Sequence, residues 1–241
     1  MTEIKWCAFA FDHYGLEGCF SDPVPLFYYI NEQNKKMNQW TFSPDYMKCY
    51  ALMDFCKNAF VIKSPTDLNI NIDIEKEYVQ VTNADQKFFD DFFIVRDSSQ
   101  FGIKRMGLTL PPKLLFFSQE SVDMELMPFT ILPQLSPIYN KLTVIPGRFN
   151  IGKWIRPIEV TGEIINKTKN ILIKKDDPMM IVRFFSKKGN VKLQRVYQDE
   201  QIINASKACT HMKNYVGKNP IEKCYQAMEV FLRHLGFKKK I

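Results

Sequence analysis

Apolar and polar residues alternate along much of this chain, and where the alternation stops the apolar positions fall at helical spacing. Leu68, Ile70, Ile72 and Ile74 each stand one residue from a polar neighbour, the period of a half-buried strand. Glu75-Lys76 then turns the chain into a second strand over 78–82, making a hairpin. Short apolar runs predict further strands at 6–11, 26–30, 59–63, 113–117 and 127–132. The polar stretch 31–38 closes the second of these. Phe88, Phe89, Phe92 and Phe93 mark a short helix or an aromatic loop, and 102–110 reads as extended. Prolines at 111, 112, 128, 133 and 137 exclude any long helix between them.

The densest strand signal lies between Leu142 and Tyr197. A strand at 142–145 ends at Pro146-Gly147, and another at 154–164 contains Pro157, which places it at an edge or a bulge. A strand at 170–173 meets the turn Lys175-Asp176-Asp177-Pro178. The run 179–185 then leads through Lys187-Lys188-Gly189-Asn190 into 191–197, read as its hairpin partner.

Helices frame this β-rich stretch. Ser43-Pro44-Asp45 is a helix start, with a capping hydroxyl, proline at the first position and an acid at the positive end. Tyr46, Cys49, Tyr50, Met53 and Cys56 follow at helical spacing, so that helix covers 43–58. Near the C-terminus, 199–215 and 220–235 read as two helices divided by Gly217-Lys218-Asn219, with Gly236 as a stop. Ile221, Cys224, Tyr225, Met228, Phe231, Leu232 and Leu235 form a stripe wide enough to dock on a sheet or on another subunit. The fold class that follows is α+β: a central antiparallel β-sandwich or barrel with one packed helix and two C-terminal helices. Residues 1–197 make the β-rich core domain and 198–241 a helical hairpin packed on it.

Composition adds limits. With 241 residues, 46% hydrophobic, and with 20 Phe and 10 Tyr, the chain is long and apolar enough for a large buried core. No window approaches a membrane span, and Glu3, Asp12 and His13 stand around the first apolar run without a signal-peptide pattern. A cytoplasmic protein is expected. Cys7, Cys19, Cys49, Cys56, Cys209 and Cys224 never form paired zinc-site spacing and read as reduced, mostly buried thiols, Cys49 and Cys56 on one helix face. The net charge of +7 permits contact with nucleic acid, but its lysines and arginines are spread out except for Lys238, Lys239 and Lys240.

Catalytic motifs are missing. His13, His211 and His234 are the only histidines, and none has the spacing of an iron-oxygenase or metal-cupin ligand set. There is no GxSxG elbow, no Walker loop and no GxGxxG. Asp90-Asp91 and Asp176-Asp177 sit beside turn signals and read as turn acids. Trp40 and Trp154 offer faces for base stacking, but without interleaved arginines. No catalytic, cofactor-binding or metal-ligating residue is assigned, and no cofactor is implied.

Two resemblances add to this. Pro146-Gly147, an acid-and-arginine strand over 156–160, Asn166, a turn, and the apolar strand 174–185 resemble the C-terminal strands of the dUTPase and dCTP-deaminase family. The family's serine-rich phosphate motif is absent, and Arg148-Phe149-Asn150 stands where its aspartate follows Pro-Gly. The resemblance implies β-rich topology and carries over no catalytic residue. The segment YMKCYALMDFCKNAFVIKSPTD, residues 46–67, with the later strands, resembles a marine myovirus-like tailed-phage family of unknown function. The reading that follows is a non-enzymatic phage protein, structural or interaction-mediating, in the host cytoplasm or the virion, with a protein partner or self-association. The alternatives are a nucleotide or small-molecule pocket on a degenerate dUTPase-like scaffold, and a metal-dependent cupin-like enzyme.

Overall fold

The computed structural model describes residues 1–9, 20–36, 47–76, 78–83, 93–97, 106–165, 168–215, 220–234 and 236. The N-terminal half contains β1 (Thr2–Ala8), β2 (Val24–Pro25), α1 (Leu26–Lys36), α2 (Tyr50–Cys56), β3 (Ala59–Lys63), β4 (Leu68–Asp73) and β5 (Tyr78–Val81). The middle contributes β6 (Ile94–Asp97), β7 (Met106–Phe117), β8 (Asp123–Pro128), β9 (Leu142–Val144) and β10 (Gly147–Asn150). The chain continues through β11 (Pro157–Ile164), β12 (Asn170–Ile173), β13 (Pro178–Phe185) and β14 (Val191–Arg195) to α3 (Glu200–Tyr215) and α4 (Ile221–His234).

These strands build three sheets. The first runs β14-β1-β7-β11-β9, with β6 also paired to β7. The second runs β10-β8-β13-β3-β2, and the third β12-β4-β5. Alternate residues of all three sheets meet in one core: Trp6 from β1, Leu114 and Phe116 from β7, Val182 and Phe184 from β13, Ile70 from β4 and Ile171 from β12. Helices cover the outer faces of the first two sheets. On the first, Cys7, Leu115 and Phe117 pack under Ile202, Cys209, Met228 and Leu232 of α3 and α4. On the second, Val61 and Ile181 pack under Leu26, Tyr29 and Ile30 of α1 and Cys56 of α2. The layers are therefore helix, sheet, sheet, helix, an α+β fold built on a β-sandwich. β13 is buried on both faces, so it reads PMMIVRFF with little alternation.

Several expectations change. The run LFYYI is the first turn and a half of α1, not a strand. Leu26, Tyr29 and Ile30 are buried at helical spacing while Phe27 and Tyr28 are exposed, and the polar stretch after them continues the helix to Lys35 and Lys36 at its negative end. The start of the 43–58 helix lies outside the described residues; within them Met47 is helical, the helix is interrupted at Lys48-Cys49, and it resumes as α2 with Cys49 as an exposed N-cap rather than a core residue. β14 is not the hairpin partner of β13. It crosses to the other sheet and pairs parallel with β1, Thr2 opposite Val191 and Trp6 opposite Arg195, so the sandwich is not purely antiparallel. Asn58 fixes that crossover. At φ 56° it ends α2, donates from Nδ2 to the Gly189 carbonyl at 2.8 Å and accepts the Val191 N–H at 3.0 Å.

Pro111 and Pro112 lie inside one continuous strand, β7, rather than beside a shorter one. Neither of its edges needs an N–H there. Along one edge β6 pairs as far as Thr109 and β1 begins only at Leu114. Along the other the register skips from Val160–Leu110 to Ile158–Leu114, which sets Pro111, Pro112 and Lys113 opposite the single residue Glu159. Pro157 is the first residue of β11, next to this bulge and beyond the reach of β9, which pairs only with Gly162–Ile164, as expected of a proline at an edge or a bulge. Among the described residues no helix is long and apolar enough to cross a membrane.

Candidate functional site

The C-terminal helices are held firmly on the first sheet. Asp199 begins α3 by accepting the Ile202 N–H on its side chain at 2.8 Å. The Ile155 N–H points at the Cys209 sulfur, 3.2 Å away. On α4, Tyr225 meets Trp154 edge to face at 6.3 Å, and its hydroxyl accepts the Asn150 N–H at 2.9 Å. Burial raises the Tyr225 phenol, and that hydrogen bond opposes the rise. Asn150 is buried and fully engaged: its amide donates to Ser121 and Asp123, and its oxygen accepts the Gly152 N–H. The Arg148-Phe149-Asn150 segment thus anchors a helix. Arg148 pairs with Asp123 at 2.9 Å and stacks on Phe185 at 4.6 Å.

With one face of α3 and α4 spent on the sheet, their other side forms a groove of about 700 Å³. Ala208 and Ala227 give it hollows, Val230 and Phe231 give it ridges, and Met212, His211 and His234 complete it. Among the described residues none of its lining is Asp, Glu, Lys or Arg. Val230 is 58% exposed and Phe231 40%. The His234 Nδ1 lies 2.8 Å from the Val230 carbonyl, which fixes the ring at the helix end.

A second cavity, of about 440 Å³, opens beside the start of α3, where β1 and the end of β7 meet the segment following β14. Its lining includes Glu3, Lys5, Phe117, Glu120, Tyr197, Asp199 and Gln201. Glu120 accepts from Lys188 at 2.7 Å and from the Thr2 hydroxyl at 3.1 Å, and Thr2 in turn contacts the Ser186 hydroxyl at 2.6 Å. The Lys188 hydrogen bond is the main reason the Glu120 carboxyl is held below the usual range.

The other residues singled out in the sequence find structural places. Asp176 and Asp177 shift in opposite directions for local reasons. Asp176, at φ 70°, is lowered first by a hydrogen bond from Ser21 at 2.5 Å, with Lys63 at 3.1 Å helping. Asp177 is raised by burial, while accepting the Lys174 N–H at 2.7 Å. Both hold the turn between β12 and β13. The acid and arginine of the dUTPase-like segment form a partly buried ion cluster: Glu159 lies 3.8 Å from Lys113 and 3.7 Å from Arg156. Lys113 is only 7% exposed, carried inward by the β7 bulge. Cys7, Cys56, Cys209 and Cys224 are buried, and no disulfide joins the described cysteines. Among the described residues no three His, Cys, Asp or Glu side chains group to hold a metal ion. Asp12, His13, Cys19, Trp40, Asp90-Asp91, Asn166 and the terminal lysines lie outside the described residues.

No family model, curated protein or solved structure matches the chain. The candidate sites therefore rest on geometry alone. Sequence reasoning located the apolar stripe on α4 but placed Phe231 in the same docking face as Met228 and Leu232. Leu232 is buried against the sheet and Phe231 is exposed on the groove side, with Met228 reaching both. The polar cavity had no local signal, because its residues come from positions 3–5, 117–120, 196–202 and 236.

Proposed function

We propose that the chain is a non-enzymatic structural or interaction-mediating protein of a tailed phage, in the host cytoplasm or the virion, which pairs with a second copy of itself through the α3–α4 groove. The observation that carries the self-association is a groove that has no Asp, Glu, Lys or Arg among its described lining residues, on a chain of net charge +7. An apolar patch with a charged surround marks an interaction site. The occupant is a second copy because the groove is self-complementary. Ala208 and Ala227 leave room for a large ring, and Phe231 stands on the same face to supply one. A two-fold axis sets the two α4 helices antiparallel, with the acidic first turn of one (Glu222) against the basic last turn of the other (Arg233). Such pairing buries no unpaired Asp, Glu, Lys or Arg from the groove. The phage assignment rests on the resemblance of residues 46–67 and the later strands.

Sedimentation velocity and light scattering on the purified chain test the pairing. A dimer is expected, and Phe231→Glu should convert it to a monomer whose unfolding midpoint at low concentration is unchanged. A wild-type chain that stays monomeric at high concentration, or a Phe231→Glu variant that still dimerises, overturns this reading.

A further inference from the structure

We infer that the outer edge of β14 binds an acidic, extended segment of a partner protein, which joins the first sheet as a further strand. β14 ends that sheet, and among the described residues no strand pairs with its other side. Its backbone groups divide by parity. The Asn190 carbonyl accepts the Thr2 N–H at 2.9 Å and the Val196 N–H donates to the Trp6 carbonyl at 2.9 Å, so even-numbered residues turn their backbone toward β1. Odd-numbered residues turn away. The Val191 N–H fits this, being held at 3.0 Å by the Asn58 side chain rather than by β1. The Val191 carbonyl and the Leu193 N–H and carbonyl are left as an unfilled row, with no partner among the described residues.

That row borders a groove of about 590 Å³. The β14 residues lining it, Val191, Leu193 and Arg195, are all odd-numbered, and Trp6 and Phe60 add apolar surface. On the side of the second sheet it is lined by Pro23 and Pro25, which have no N–H to offer. Main-chain pairing is therefore supplied by β14 alone. The rim is already ordered, since Arg195 pairs with Asp22 at 3.3 Å and stacks on Trp6 at 5.2 Å. An open strand edge beside an apolar groove takes an extended peptide, whose backbone bonds the edge while alternate side chains enter the groove.

Charge selects the partner. In the groove Arg195 is matched by Asp22, which leaves Lys57. Asp54, beside Lys57 in the adjoining cavity, is matched by Arg183 at 3.3 Å. On the outer face of the sheet Lys192 lies opposite Glu3 and Lys5 opposite Gln194, so cations are again in excess. Acidic residues on an added strand gain from both lysines. A second copy of β14, VKLQR, would instead bring like charge. The edge shares no residue with the α3–α4 groove, so this inference does not depend on self-association.

Fluorescence polarisation and hydrogen exchange on the full chain test it. The probes are end-capped peptides of 5 residues, the length of β14, that alternate valine with glutamate or valine with lysine. A third probe is the valine–glutamate peptide N-methylated throughout. The valine–glutamate peptide should bind and slow exchange of the Leu193 amide, the lysine peptide should bind about tenfold more weakly, and the N-methylated one should not bind. Lys57→Glu combined with Lys192→Glu, both at exposed positions, should weaken the valine–glutamate peptide by about tenfold without moving the unfolding midpoint. Phe231→Glu should bind it as wild type does. The inference is overturned if that peptide does not bind, if it binds without protecting the Leu193 amide, or if the lysine or N-methylated peptide binds equally well. It is also overturned if the double variant binds unchanged, or if a second copy protects the Leu193 amide in the peptide's place.

Discussion

Burial pushes the Cys209 thiol up from 9.0 to about 12, the Cys56 thiol from 9.0 to about 11 and the Tyr29 phenol from 10.0 to about 12. Desolvation of the anion is the leading cause in each. The folded chain therefore keeps protons that the unfolded chain releases, so stability is fully present below pH 9 and falls as pH rises from there toward 12. Urea denaturation across pH 7 to 11 should show that decline, and Cys209→Ala should make it shallower; an unchanged slope in the variant would contradict the assignment. Asn58 offers a second test. Asn58→Ala loses two hydrogen bonds and a tolerated left-handed conformation, for an expected cost of about 1–3 kcal/mol, whereas Asn58→Gly should recover the conformational part. Matched denaturation curves for the two variants would show that the conformation contributes nothing. The sequence placed most of the cysteines in the interior, but it did not mark Asn58. A cysteine at helical spacing signals burial only if the helix face is known, and here Cys49 proved to be the exposed N-cap.

At the scale of elements, β11 shows how two strands constrain a single residue. A Cβ on Gly162 would stand 2.5 Å from the Thr143 oxygen and 2.9 Å from its carbon, so β9 packs against bare backbone. Gly162→Ala should displace β9 and cost about 1–3 kcal/mol. Hydrogen exchange should then quicken at the Ile145 amide, which bonds the Thr161 carbonyl at 2.8 Å; unaltered protection there would refute it. Most strands were legible because one face is buried and the other is not, as in β4 and β11. The misses share one cause. A five-residue apolar run fits either a strand or a helix turn, and Pro111-Pro112 reads as a break until the partners on both edges are known to stop there. Pairing is a property of neighbours, so the destination of β14 could not be read from the turn that precedes it.

For the whole molecule, the test is whether the C-terminal helices are an ornament or part of the core. Cys7, Leu115 and Phe117 of the first sheet, with Trp154 and Ile155 before β11, form an apolar face that α3 and α4 cover. A chain ending at residue 197 should bind a hydrophobic dye and aggregate, as seen by dye fluorescence and light scattering. A monomeric fragment with a cooperative transition would show instead that 1–197 stands alone. What the sequence by itself determined was the α+β class, most of the strands and the two terminal helices, because hydrophobic period and turn chemistry act over a few residues. Tertiary structure alone decided the parallel β1–β14 pair, the helices on both outer faces, the uncharged groove and the polar cavity. The β1–β14 pair and the polar cavity bring together side chains more than a hundred positions apart, the groove brings together two separate helices, and no short-range pattern records which of them meet.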